Sequence, residues 1–537
     1  MRARVGAAAV ATVLCATAAV AATGGTAGAS PAGGPAGGGV GPLLADQLLV
    51  SESYYTNDPN LVAGQTELPP GCTTGCVTAT AGGSYPEAFN NALVDGSFGV
   101  TSRIYLAEMT PGGFPIRTVE VPPSELVTSF SSKSELALNL SPDGRTVSFM
   151  GYVAKPDTVD VSNANTPGVI DPTNPVPGAY YRAVAQLTGN GRLQFTETNA
   201  YSGDNGRAAI TADAGGRELI YASGNAGNGG TPQPDGVILG AGAQLLTPSG
   251  QPESEQTPPN PPTPVGSFNV TQLGDKADKI GKDDNFRGLT IYNNVVYYTK
   301  GSGGNGVNTV YFIDTTGKAC PNGTGLPTPG AQLPTTPLSY DLSTLQADGL
   351  PSNMCILKGF PTALKSTTSF PFGMWFANPD TLYVADEGNG TNTYSGGGYT
   401  AAAAQTTAGL QKWVFDGTAG EWKLAYTLQT GLNLGQPYTV RGYPTGLNAA
   451  TGLPWSPATD GLRNITGHLN RNGTVTIWAI TSTVSGGGDQ GADPNKLVEI
   501  TDPVGATAPA AGETFRTLRT AAFAEVLRGV SFTPGTW

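Results

Sequence analysis

The sequence predicts an all-β fold, a closed β-propeller of six blades, with seven as the alternative count. Three observations predict it. Gly (76) and Pro (43) are abundant while charged residues make up only 13% of 537 residues, a usage suited to many short strands joined by turns. One strand–turn–strand phrase recurs along the chain at a period of blade size. The two chain ends also supply complementary pieces of one further unit.

The recurring phrase begins at Glu135 (ELALNLSPDGRTVSFMGY), Arg207 (RAAITADAGGRELIYASG), Arg287 (RGLTIYNNVVYYTKG), Phe372 (FGMWFANPDTLYVADEG), Arg463 (RNITGHLNRNGTVTIWAITS) and Arg528 (RGVSFTPGTW). The starts lie 65 to 91 residues apart, enough for four short strands and one long loop. SPDG, AGG, NN, NPD and RNG are hairpin punctuation. Strands are named A to D here, from the channel axis to the rim. The second half of each unit is a C–D pair, as in GLQKWVFDGTAGEWKLAYTL (Gly409–Leu428).

The last phrase has only an A strand, so its partners are sought at the N-terminus. LLVSESYY (Leu48–Tyr55) matches a B strand, Gly96–Met109 the run into a C strand, and IRTVEVP (Ile116–Pro122) a D strand. Closing the ring this way removes the exposed edges an open array would leave. Reading FGVTS as an A strand gives the seven-blade alternative. The Pro-rich tract Thr247–Pro264 interrupts no repeat and reads as a loop of the third blade.

Residues 1–29 read as a secretory signal: Arg2 and Arg4, an apolar run from Val5 to Val20, then small residues, with Val20-Ala21-Ala22 or Ala27-Gly28-Ala29 as candidate cleavage sites. A Gly/Ala/Pro-rich leader (30–45) reads as disordered, and 46–537 as one propeller domain. The expected location is extracellular. No later stretch is long and apolar enough to span a bilayer. With Cys15 in the signal, Cys72, Cys76, Cys320 and Cys355 remain, and an even number in an exported chain points to two disulfides. Proximity favours Cys72–Cys76 and Cys320–Cys355, although four cysteines permit three connectivities. A four-cysteine zinc site is the alternative, but neither pair has zinc-knuckle spacing. The net charge of −12 argues against nucleic acid or an anionic membrane as partner. A closed ring fits a monomer.

TLYVADEGNG, GLQKWVFDGTAGEWKLAYTL and FAEVLRGVSFTP together resemble secreted bacterial six-bladed β-propeller proteins and, more loosely, NHL-type, gluconolactonase-like and phytase-like propellers. The resemblance implies the fold over nearly all of the mature chain. The lactonase-like and phytase-like enzymes hold calcium in a carboxylate cluster, which here is matched in part, by Asp386 and Glu387.

In a propeller, A-strand starts and B-strand ends meet at one mouth of the central channel. The long segments Thr56–Phe98, Ala154–Ala179 and Gly388–Ala408 are expected to rise around it. Reading the A-strand starts in order puts Arg207, Arg287, Arg463 and Arg528 in one ring. Arginine offers planar donors suited to carboxylate, phosphate or sulfate. Counter-anions are expected from Glu52, Glu135, Asp386 and Glu387, or from a ligand. An alternating ring of salt bridges stapling the blades is the structural reading of the same residues. Tyr54 and Tyr152, with Tyr55, Tyr85, Tyr394 and Tyr399, lie at or near this mouth as stacking or acid–base groups. The single histidine, His468, falls late in an A strand, toward the opposite face. No G-x-S-x-G elbow, phosphate loop or cofactor fingerprint is present. No organic cofactor is therefore expected, and calcium is the one candidate.

Two functions follow from the residues. The first is an extracellular binding module that takes a small anionic molecule or a polysaccharide at the arginine-lined mouth. The second is a lyase or hydrolase using the arginines for charge stabilisation, with Glu135, Asp386, Glu387 or a tyrosine as base and calcium as an aid. A scaffold role, with the mouth closed by ion pairs, is the third. Whether the chain is an enzyme stays open at this level.

Overall fold

The computed structural model describes residues 40–54, 65, 67–68, 77–78, 100–129, 136–159, 161–170, 176, 178–226, 242–248, 286–301, 306–320, 323–336, 354–363, 366–443, 445–448, 451–486 and 493–536. Glu135, Tyr55, Tyr85, Cys72, Cys76, the signal and most of the Pro-rich tract lie outside them. No helix among the described residues is long and apolar enough to cross a membrane.

Six small antiparallel sheets form the ring. Blade one pairs the C-terminal A strand Glu525–Phe532 with Leu48–Tyr54, Thr101–Met109 and Pro115–Glu120. Thr101–Met109 is therefore a C strand, and the count is six. Blade two holds Asn139–Leu140, Thr146–Tyr152, Arg182–Thr188 and Leu193–Thr198. Blade three has Gly206–Ala214, Arg217–Gly224 and Gly242–Leu246. Blade four has Phe286–Tyr292, Val295–Lys300, Thr309–Ile313 and Met354–Leu357. Blade five runs Pro371–Asn378, Thr381–Asp386, Gly409–Asp416 and Glu421–Leu428. Blade six runs Ala458–Leu469, Thr474–Val484, Lys496–Pro503 and Arg516–Thr520.

Turn chemistry sets the A–B hairpins. Asn293 and Asn294 both adopt positive φ (48° and 59°), the two-residue turn whose twist matches the flanking strands. In blade two the Gly144 amide donates to the Ser141 carbonyl at 2.8 Å. Val, Ile, Leu and aromatic residues on the sheet faces fill the spaces between blades and are almost fully buried.

Closure joins the two ends residue by residue, from Leu48 opposite Phe532 to Tyr54 opposite Glu525. An ionic latch secures it. Arg519, from the D strand of blade six, pairs with both Glu52 and Glu525 of blade one. The Tyr54 hydroxyl donates to Glu52 (3.1 Å) and Glu525 (3.0 Å). The last part of the segment read as a disordered leader differs from expectation. Val40 and Leu43 donate to the carbonyls of Gly191 and Gly189, and the Leu44 amide donates to Glu108. Apolar Leu43 gains burial there, which a Gly/Ala/Pro tract would not.

Cys320 and Cys355 form a disulfide with Cα atoms 5.7 Å apart, tying the excursion between strands C and D of blade four.

Candidate functional site

The A strands of blades one, three, four, five and six each start with a β-bulge. Arg207 is the extra residue between the pairs Gly206–Gly224 and Ala208–Ser223. Arg287 and Gly288 together face one residue of their B strand, as do Phe372 with Gly373 and Arg463 with Asn464. Arg528 is the extra residue between Leu527 and Gly529. A bulge bends its strand and re-aims the side chain. Here it turns the residue that opens each recurring phrase out of the sheet face.

The glycines beside the bulges bring neighbouring inner strands together. A Cβ on Gly288 would sit 2.0 Å from the Phe372 carbonyl oxygen, and one on Gly373 would sit 2.6 Å from the Arg463 carbonyl oxygen. Blades four, five and six therefore meet backbone to backbone, and their bulged side chains converge.

Arg287 makes a 3.0 Å ion pair with Glu387, which follows the B strand of blade five. Arg463 donates through Nε to the other Glu387 oxygen at 3.2 Å. Arg207 lies 3.8 Å from Asp204. These three arginines are only 1–2% exposed. Burial, followed by the repulsion of Arg207 and Arg463, lowers the Arg287 guanidinium to about 10 in spite of Glu387. The Nη2 of Arg463 is buried and has no hydrogen-bond partner among the described residues. Phe372, the apolar member of the series, lies between Arg287 and Arg463, its ring centre 5.3 and 6.0 Å from their guanidinium carbons. Arg528 stands further round the ring, donating to Ser53 Oγ (3.1 Å) and the Ser129 carbonyl (3.2 Å).

The predicted carboxylates divide by role. Glu387 is the counter-ion. Its neighbour Asp386 instead caps the loop that follows, accepting from the amides of Phe370 (2.9 Å) and Gly388 (3.0 Å) and from Gln411 Nε2 (3.1 Å). Glu52 serves the closure latch. With the oxygens of Asp386 taken by N–H donors and those of Glu387 by guanidinium groups, the Asp386–Glu387 pair does not fit a calcium site. No group of three or more His, Cys, Asp or Glu that could hold a metal occurs among the described residues.

Sequence reasoning missed three acidic groups. Asp204 is fully buried before the A strand of blade three. Its carbonyl accepts from the buried Arg182, at 3.1 Å from Nε and 2.6 Å from Nη2. Asp460 accepts from the Gly390 amide (2.8 Å) and Gln405 (2.6 Å). Asp493 accepts from the Tyr443 hydroxyl at 2.8 Å. Burial raises Asp386 and Asp460 to about 7 and Asp493 to about 6. A signal for two of the missed groups was present. An acidic residue stands three places before each arginine: Asp204 before Arg207, Asp284 before Arg287, Asp460 before Arg463 and Glu525 before Arg528. Asp284 lies outside the described residues.

The tyrosines serve the framework. Tyr152 is buried, donates to Asn205 and lies 5.1 Å from the Arg182 guanidinium. Tyr399 packs edge-on against Tyr394, and its hydroxyl donates to the Pro454 carbonyl at 2.8 Å. His468 is exposed at the far end of its A strand, with Nδ1 3.2 Å from Asn470 Oδ1.

The opposite ends of the six A strands surround a cavity of about 190 Å³, to which Leu140, Ile210, Ile291, Trp375, Gly467 and Phe532 contribute, one from each blade.

No family model and no curated protein matches the chain. One of the solved structures similar to it comes from a structural and mechanistic analysis of two prolyl endopeptidases. It is 12% identical with a TM-score of 0.28, covering 79% of this chain and 50% of that one. The chain thus spans about half the length of that structure's chain.

Proposed function

We propose that the protein is an exported propeller whose arginine centre binds the anionic group of a small molecule or a polysaccharide. The signal-like N-terminus and the resemblance to secreted bacterial propellers support export. The buried Nη2 of Arg463, which has no hydrogen-bond partner among the described residues, carries the binding reading. It sits beside Glu387, the carboxylate that Arg287 and Arg463 share, with the Arg207–Asp204 pair on the neighbouring blade, and a buried donor without a partner costs stability until an acceptor arrives. Carboxylate, sulfate and phosphate each match a guanidinium fork.

Calorimetry and thermal shift with uronates, sulfate and phosphate test this. Binding that Arg463→Met abolishes, in a variant that still folds, supports the reading. Absence of binding across the panel leaves the ring as a blade staple and the protein as a scaffold.

One observation favours a catalytic second reading. Asp386 and Asp460 are held near neutrality beside the arginines, the range a general acid or base needs. Turnover of a uronide or a phosphate ester that is lost in Asp460→Asn, with ligand binding retained, would support it.

A further inference from the structure

A second buried ionic group lies between blades five and six, away from the channel. Lys412 is central in the C strand of blade five, directly opposite Tyr383 on one side and Tyr426 on the other. Asp502 lies near the end of the C strand of blade six. Both Lys412 and Asp502 are completely buried. Lys412 Nζ stands 2.9 Å from Asp502 Oδ2, 2.9 Å from the Tyr426 hydroxyl and 2.6 Å from the Pro503 carbonyl. Tyr383 donates to Asp502 Oδ2, and Tyr426 donates to Oδ1 at 2.5 Å.

The surroundings are apolar: Val475, Ile477, Ile500 and Phe515 belong to the same core cluster as the two tyrosines. A third carboxyl closes the group. Glu513 accepts from the Ala510 amide through Oε2 (2.9 Å), and its Oε1 is buried without a hydrogen-bond partner among the described residues.

We propose that Lys412 and Asp502 are the partners of an intramolecular amide bond, formed with Glu513 as proton carrier, that welds blade five to blade six. The ion pair holds the same atoms as a neutral amine beside a carboxylic acid. One proton passing from Nζ to the Asp502 carboxyl across the 2.9 Å contact interconverts them. The free amine then adds to Cγ. The two tyrosine hydroxyls hold the carboxyl oxygens as charge develops on one of them, as donors do in an oxyanion hole. Glu513 takes a proton from the nitrogen and returns it to the departing oxygen. The C–O bond breaks, one water leaves, and Glu513 ends as it began. Nothing is oxidised or reduced.

Three features of the group fit these roles. Burial first, and then the Asp502 carboxyl beside it, raises Glu513 to about 7, so that it can both hold and release a proton near neutral pH. Burial, then Asp502, keeps Tyr383 and Tyr426 protonated as donors. The fold holds nucleophile and carbonyl in contact, which removes the entropic barrier to the reaction.

Intact mass of the denatured, reduced full chain and tryptic mapping test the bond. The wild type should be lighter by one water than its processed sequence. Trypsin should fail to cut after Lys412, and a branched peptide should join the segments around 412 and 502. Glu513→Gln alters a half-buried rim residue and should fold. It should retain the water and be cut after Lys412. A wild-type chain of full mass that trypsin cuts after Lys412 overturns the proposal. A branched peptide present equally in both proteins overturns the role given to Glu513.

Discussion

The six inner strands begin at a buried ionic centre and end around a cavity without charged residues. At their starts, bulges turn Arg207, Arg287, Phe372, Arg463 and Arg528 out of the regular alternation. At their ends, Leu140, Ile210, Ile291, Trp375 and Phe532 surround a cavity. The same strands thus serve two environments, and one irregularity in pairing separates them. A cavity whose lining mixes apolar side chains with neutral Asn139, Thr290, Thr466 and Ser531 makes no demand for a counter-charge. Buried guanidinium groups do, and this places the binding proposal at the charged end although the cavity lies at the other.

The largest effect that can break this contrast is removal of the shared counter-ion. Glu387→Gln leaves Arg287 and Arg463 buried without their carboxylate. Breaking a buried pair by removing one partner costs about 3–5 kcal/mol. Denaturant unfolding of wild type and variant should show a loss of that order. A loss below about 1 kcal/mol, the range of exposed pairs, would mean the charged end is far wetter than its geometry implies.

The pH dependence of stability comes next. In the folded chain, burial raises Asp386 and Asp460 to about 7 and Asp493 to about 6, against an ordinary 3.8. The folded state therefore holds protons that the unfolded state releases, and stability falls with pH where the unfolded state binds fewer protons. This contribution is complete below about pH 4 and is lost as pH rises through 7. Tm should decline between pH 5 and pH 8, and the decline should be shallower in Asp460→Asn. A slope unchanged by that substitution removes Asp460 from the account.

At the cavity end, Trp375→Ala should cost roughly 2 kcal/mol, about half the penalty for a fully buried tryptophan, because Trp375 is only partly buried. It should leave anion binding unchanged. A variant that loses binding as well would show that the two ends are coupled along the channel.

Six blades and the shared closing blade were legible because hairpin punctuation and phrase spacing survive in sequence. Five of the six positions that opened a phrase proved to be bulges, so aligning them also located the charged centre. The division of labour between neighbours was not legible. Nothing local distinguishes Asp386, which caps a loop, from Glu387, which neutralises two arginines, since the difference lies in where each side chain points at the strand end. Asp204 and Asp460 were overlooked because they precede the recurring phrases and read as linker, though Asp460 lies inside the A strand Ala458–Leu469 and their spacing from Arg207 and Arg463 is regular. The meeting of Lys412 with Asp502, 90 residues apart, depends on which sheet faces stack, and no periodicity encodes that.

The smallest expected effect concerns calcium at Asp386 and Glu387. A calcium ion needs several oxygens free of other donors. Asp386 spends both of its oxygens on two amides and Gln411, while Glu387 spends both of its own on Arg287 and Arg463. An ion entering here would displace those donors and add positive charge beside arginines that already repel one another. Calcium should therefore leave Tm unchanged, whereas an anion at 100 times its Kd should stabilise the fold by about 2.7 kcal/mol. A rise with calcium that Glu387→Gln abolishes would reverse the assignment, making the carboxylates the site and the arginines their counter-ions in its absence.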